Sequence, residues 1–375
     1  MNPFLKEIIA LRGQTGMEFD CQNSNPYGVV CVEPNGSRTA YYFNTPIYNE
    51  KTGKLLDMKF HSANNMFCAV GSNSEITIDQ DVLIHNPEGY CKIALGGQFV
   101  TIFEHELVGG GLHLRPTTNG ISIRGQNNNE GQLEFSLKVS ESFLSVRAND
   151  KYFALMRDDF RPFLVVSCIG TIDVTGRVVS PSILKYHKIS CHEYKITISS
   201  CLATSKAVSC EINLYEPKLY QDTTVESNHP GDNNVYGSIG FIGETNEFGE
   251  QWLYSRLDYQ KTSELHGHKV RKAILHLPNL NESKVQLGTE KVPFRFCSFG
   301  STWSNKITSN LALMRLANSG KYYDADLTSI LTDKHGRFTN SEGWIVKAYQ
   351  PIFGYAVVPT GDSHMSSQIL EINSV

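Results

Sequence analysis

Apolar and polar side chains alternate along most of this chain. The segments "EITIDQDVLIH", "GISIRG", "LEFSLKVS", "YKITISS", "AVSCEINLY" and "KAILHL" each repeat every second residue, with Gly, Asn, Pro and Asp between them. Period two sends successive side chains to opposite faces of an extended backbone, so each segment reads as a half-buried antiparallel strand. Helical spacing is rare: beyond the N-terminus only "NLALMRLANSG" and the turn after "DADL" offer it, and both are short. The 30 glycines and 14 prolines suit a chain that must turn often. The expected fold is all-β, with tandem antiparallel β-sandwich or jelly-roll domains and one short N-terminal helix.

At 375 residues the chain is long for one core, and its hydrophobic fraction of 40% against 19% charged residues is enough to bury two or three. The net charge of −4 provides no basic footprint for nucleic acid. The densest basic run, "HGHKVRKAILHL", passes into a strand pattern and reads as its solvated entry. No window approaches the roughly 18 apolar residues of a spanning helix. The start, "MNPFLKEIIALRG", lacks the basic region, long apolar centre and cleavage site of a secretory signal. The expectation is therefore export by another route, incorporation into an assembly, or a cytoplasmic location. The same stretch reads as an amphipathic helix with Phe4, Ile8 and Leu11 on one face and Gly13 ending it.

Three segments are expected: an N-terminal helix or arm over 1–20, a β-rich domain over 21–215, and a β-sandwich over 216–375. The firmest boundary is near Glu216, after which the prolines of "NLYEPKLYQDTTVESNHPGDNN" interrupt the strand pattern. The polar "RGQNNNEGQ" over 124–132 is either a long loop or a link between two sheets, so the middle segment is one domain or two. "NEKTGK" reads as a hairpin loop with Gly53 in the left-handed position, and "VGGGLHL" as a tight bend between strands.

Catalytic signatures are missing: there is no GxSxG, no HExxH and no glycine-rich phosphate loop opening a helix. The nine cysteines are scattered without a CxxC pair, which favours free thiols over a zinc site or a disulfide framework. The adjacent Cys191 and His192 point to opposite faces of a strand. In "YYDADLTSIL", Asp324 and Asp326 share a strand face with Tyr323 and Ala325 on the other. Their spacing provides no opposing walls for a glycosidase pair. Asp326 instead precedes a helical turn whose amides its carboxylate can accept, so the pair reads as structural, with a calcium ligand kept open.

From about Tyr220 to Ile372 the order of motifs resembles the DNRLRE-type domain. It runs from an opening Asp-Thr through an Asn-x-Tyr-Gly turn at Asn234, Tyr236 and Gly237, and "QWLYSRLDYQ", to a Thr-Trp pair after a strand and an Asp-x-Thr element before "GW". The chain departs from the pattern at "SRLDYQ", where an aromatic commonly follows the arginine, and at Cys297. The resemblance implies a β-sandwich related to carbohydrate-binding modules of bacterial surface and secreted proteins. It also implies that a structural calcium is conceivable, with Asp222, Asp232 and Asn234 as candidate ligands. No family is recognised before residue 220.

A glycan would need an aromatic platform with polar groups to fix its hydroxyls. Trp252, Tyr254 and Arg256 share a strand face and form the candidate ligand site. Trp303, Tyr322 and Trp344 are further candidate aromatics, although Trp303 and Trp344 sit where the family pattern needs core residues. Two functions follow as expectations: a non-catalytic recognition or adhesion protein for a glycan or surface polymer, or a structural subunit of a fibre, sheath, appendage or virion-like assembly binding copies of itself or other subunits. No cofactor is expected.

Overall fold

The computed structural model describes residues 2–14, 17–20, 25–33, 36–64, 66–125, 131–140, 145–158, 161–202, 207–293, 301–307, 312–351 and 353–374. Cys21, Cys297 and the centre of the 124–132 stretch lie outside them. The described chain is nearly all β, in antiparallel sheets, with helix α1 (Pro3–Arg12) at the start and a single turn, α2 (Thr328–Leu331), near the end. It divides into two compact units, residues 48–216 and residues 1–47 with 217–375.

In the 48–216 unit a nine-stranded sheet faces an eight-stranded one. Alternate residues of both sheets, among them Ile76, Ile84, Ile93, Leu114, Ile123, Leu137, Ile196 and Ile212, form one continuous buried core. The 124–132 stretch leaves the strand Gly120–Gly125 of one sheet and enters Gln132–Val139 of the other, so it connects two layers of one unit. The "NEKTGK" hairpin closes through a bridge from Tyr48 to Leu55, with Gly53 at φ 63°. Gly110 and Gly111 make the turn between Glu106–Gly109 and Leu112–Pro116, a tight bend as expected.

The second unit has two seven-stranded sheets. One runs in the order Glu18–Asp20, Gly28–Val32, Arg38–Phe43, Ile369–Ser374, Val270–Pro278, Tyr322–Asp326, Ala317–Asn318. The other is built around Gly249–Leu257, which pairs with Tyr220–Glu226, Ile239–Thr245 and Glu342–Ala348. Between them lie Leu253, Leu257, Leu275, Leu277, Tyr323, Trp344, Val346, Leu370 and Ile372.

This corrects the expected boundaries. Residues 25–47 belong with the C-terminal sandwich and not with a 21–215 domain, because Arg38–Phe43 pairs along Ile369–Ser374, from Thr39 opposite Asn373 to Phe43 opposite Ile369. The 48–216 unit is an insertion between strands of that sandwich. A pairing across more than three hundred residues leaves no mark in local alternation, whereas the exit near Glu216 does.

Helix α1 is no loose arm. The Asn2 side chain accepts the Phe4 N–H at 3.0 Å, Pro3 takes the first helical position, and Gly13 at φ 64° donates its N–H to Ile9. Phe4 and Ile8 are buried as expected, with Leu11 half-buried, and Phe4 meets Phe43 edge-on at 5.2 Å. Arg12 is anchored to Glu33 at 2.6 Å and Glu371 at 3.4 Å, which ties the helix to the sheet face opposite the core.

Candidate functional site: tryptophans and lysines on one sheet face

Alternation along Gly249–Leu257 sends Leu253 and Leu257 into the sandwich and Trp252 and Tyr254 to the other face. There they lie beside Val225, Val292 and Ile345 from the neighbouring strands. The shared face is as the sequence implied, but the chain covers it with its own segment 302–307. A turn at Trp303–Asn305, closed by reciprocal Thr302 and Asn305 hydrogen bonds, lays the Trp303 ring 5.2 Å from that of Trp252. The Tyr254 hydroxyl pins the segment by donating to the Ile307 carbonyl at 2.9 Å. Trp252 is only 7% exposed and Tyr254 is fully buried, while Trp303 stays half-exposed at the rim.

Two ammonium groups sit on these rings. Lys306 Nζ is 3.0 Å from the Trp303 centroid and 4.8 Å from that of Trp252, and Lys347 Nζ is 4.7 Å from the Trp252 centroid. Lys347 is neutralised by Glu290 at 2.9 Å, and the Trp252 indole N–H donates to Glu250 at 2.8 Å. Lys306 has no ion pair with a carboxylate among the described residues. Burial lowers its pKa, Glu250 acts against that, and Lys347 adds repulsion. The cluster therefore offers a partly buried indole and a partly desolvated cation that makes no ion pair with a carboxylate among the described residues.

Arg256 stands apart at the far end of the strand. Its guanidinium donates to Gln221 Oε1 at 2.8 Å, and Gln221 in turn donates to Asp258 at 2.7 Å. Trp344 is fully buried against Tyr220, as a core residue. Trp303, which the family pattern would place in the core, lies at the rim instead, and the two lysines extend the candidate site beyond what the sequence reading named. The signal available for Lys306 was only that "STWSNK" follows an expected strand, and for Lys347 only its place in "GWIVKA".

The candidate calcium ligands hold separate sets of partners. Asp222 is buried, which pushes its carboxyl up to about 7 against the pull of the Gly361 N–H at 2.5 Å and of Asp362. Asn234 is also buried, donating from its side chain to the Thr224 carbonyl at 3.0 Å. Asp232 instead falls with Glu226 and His229, whose ligand atoms lie within 4.8 Å of one another. An imidazole beside two carboxylates is not the all-oxygen set that calcium takes. His229 Nδ1 is already 3.0 Å from Glu226 Oε1.

The two aspartates of "YYDADLTSIL" do share a face, with Tyr323 and Ala325 in the core behind them. Asp326 accepts the Thr328 N–H at 3.0 Å and leads into α2. Asp324 is 2.7 Å from His276 Nδ1, and His276 Nε2 is 3.3 Å from Glu371. With both ring nitrogens turned to carboxylates, this histidine has no nitrogen left to take a proton from a substrate. No helix among the described residues is long and apolar enough to cross a membrane. No family model matches the chain, and no curated protein matches it.

Proposed function

We propose that the chain is a non-catalytic recognition or adhesion protein whose C-terminal sandwich docks a glycan or surface polymer at the Trp303 and Lys306 rim. The observation that supports this most is the pairing of a partly buried indole with an ammonium group that makes no ion pair with a carboxylate among the described residues. A sugar ring stacks on the first, and an acidic substituent such as a uronate or sulfate takes the second. Lys306 then acts as a displaceable cover on Trp303, and acidic saccharides bind ahead of neutral ones. The resemblance of residues 220–372 to carbohydrate-binding sandwiches points the same way. A second reading, a subunit of a fibre, sheath, appendage or virion-like assembly, is favoured by the exposed apolar strand Val100–Phe103 of the other unit.

The test is an array of neutral and acidic glycans probed with the full chain, with and without calcium, beside Trp303→Ala and Lys306→Gln. Binding to acidic glycans should weaken at least about tenfold in both variants. Absence of binding by the folded chain, or binding that both variants retain, rejects the reading. Calcium dependence would show that an ion supports the site.

A further inference from the structure

Most strand cysteines among the described residues face other residue types across their ladders. Cys31 lies opposite Phe19 and Thr39, Cys68 opposite His61 and Thr77, and Cys91 opposite Ile84 and Val139. Cys168 and Cys210 stand directly opposite each other, on the adjacent strands Pro162–Ile172 and Ala207–Leu214 of the nine-stranded sheet. The register slips only past Cys168, before Gly170, and both side chains lie in one buried core with Val166, Val208 and Ile212.

Backbone bonding shows which kind of pair this is. Cys168 donates its N–H to the Lys151 carbonyl at 2.8 Å, away from Ala207–Leu214. On the opposite strand Tyr215 turns toward its partner, donating to the Phe163 carbonyl at 2.9 Å, and Leu214 turns away, donating to the Asn119 carbonyl at 3.2 Å. Cys210, four residues before Leu214 along an unbroken register with Gly120–Gly125, turns away as well. The two cysteines therefore form a non-hydrogen-bonded pair, in which the Cα atoms are roughly 4.5 Å apart and the side chains closest. A disulfide spans Cα separations of roughly 4.4–6.8 Å.

We propose that Cys168 and Cys210 are a disulfide site, closed as the chain folds in the presence of a low-molecular-weight disulfide. One cysteine thiolate attacks the small disulfide and expels a small thiolate. The second cysteine thiolate then attacks the protein sulfur of that mixed disulfide and expels the other, so the two cysteines are oxidised and two small thiols carry off their protons. Burial ties closure to folding: it raises both thiols and leaves neither side chain accessible in the finished core, whereas exchange needs an accessible thiolate. Between these two strands the chain crosses to the eight-stranded sheet as Ser182–Lys188 and Glu193–Ser200 and returns. The bridge clamps both ends of that excursion. It lies in the 48–216 unit and does not depend on glycan recognition.

The test is to refold the reduced full chain with reduced and oxidised glutathione, alkylate remaining thiols in denaturant, and map the digest by mass spectrometry without reduction. The peptides carrying Cys168 and Cys210 should be linked to each other. The oxidised chain should melt at least about 5 °C above the reduced one, a difference absent from Cys210→Ala. Alkylation of both cysteines, or linkage of Cys168 to Cys201, whose charge it also senses, overturns the proposal. A linked pair that melts with the reduced chain overturns the clamp.

Discussion

His276 shows how far an ionisable side chain can be read from its neighbours. Burial disfavours the charged ring, but the hydrogen bonds and charges of Asp324 and Glu371 outweigh it, and the pKa rises above its ordinary 6.5. For Glu371, burial is likewise outweighed, by His276 and Arg12, and the pKa falls below its ordinary 4.5. The raised histidine stabilises the fold below pH 6.5 and loses that contribution as pH climbs through its folded pKa. The lowered glutamate stabilises above pH 4.5 and loses its contribution as pH falls through its folded pKa. Nearby, burial pushes Glu7 on α1 up to about 7 against its hydrogen bond with Tyr322, so its contribution fades between pH 4.5 and about 7. The melting temperature should thus peak in mildly acid solution and decline toward pH 8. Glu7→Gln should stabilise by about 1 kcal/mol at pH 8, discounted for a half-exposed residue from the roughly 1.4 kcal/mol per pKa unit, and do little at pH 4. His276→Gln should flatten the decline between pH 6 and 8. Thermal melts across that range check both, and a Glu7→Gln benefit equal at pH 4 and pH 8 would refute the assignment.

At the scale of elements, what could be read was what is local. The helix from Pro3 to Arg12 announces itself by Asn2, Pro3 and Gly13, the hairpin at 49–54 by its glycine, and the strands by alternation, all features within a few residues of one another. Asp326 belongs here too: it stands one residue before the N-cap Leu327, and replacing it with Ala removes an exposed acceptor for the Thr328 N–H and should cost less than the roughly 1 kcal/mol of a true cap in denaturant unfolding, without changing any ligand-binding property. The candidate site was half legible for the same reason. The face shared by Trp252 and Tyr254 follows from strand period, but its cover comes from residues about fifty positions away, held by a hydroxyl-to-carbonyl bond from Tyr254 to Ile307. No pattern in "QWLYSRL" shows that Trp303 will lie on it. Arg256 satisfies the spacing yet serves Gln221, because a directly paired neighbour is nearer than any ligand-facing position.

For the whole molecule the decisive fact is the insertion of 48–216 into a sandwich completed by the first 47 residues. A fragment starting at Glu216 has the apparent domain boundary and most of the resembling motifs, but it lacks Arg38–Phe43, and Ile369–Ser374 loses one of its two ladder partners. It also loses Tyr41 and Phe43, both fully buried, and the Asn44 side chain that donates to the Gly361 carbonyl at 3.1 Å. Several such buried groups exceed the few kcal/mol by which a domain is stable, so 216–375 alone should show no cooperative thermal transition. The two flanks of the insertion meet within the sandwich: the Leu219 N–H donates to the Asn44 carbonyl at 2.9 Å, and the Tyr27 hydroxyl donates to that of Pro217 at 2.9 Å. A chain joining 1–47 to 217–375 through a short Gly/Ser linker should therefore melt cooperatively, and 48–216, with its own continuous core, should do so separately. Scanning calorimetry of the three chains decides it. A cooperative transition in 216–375 without its N-terminal strands would mean that the sandwich core closes without Arg38–Phe43, and that the long-range pairing is an addition to the fold and not a condition of it.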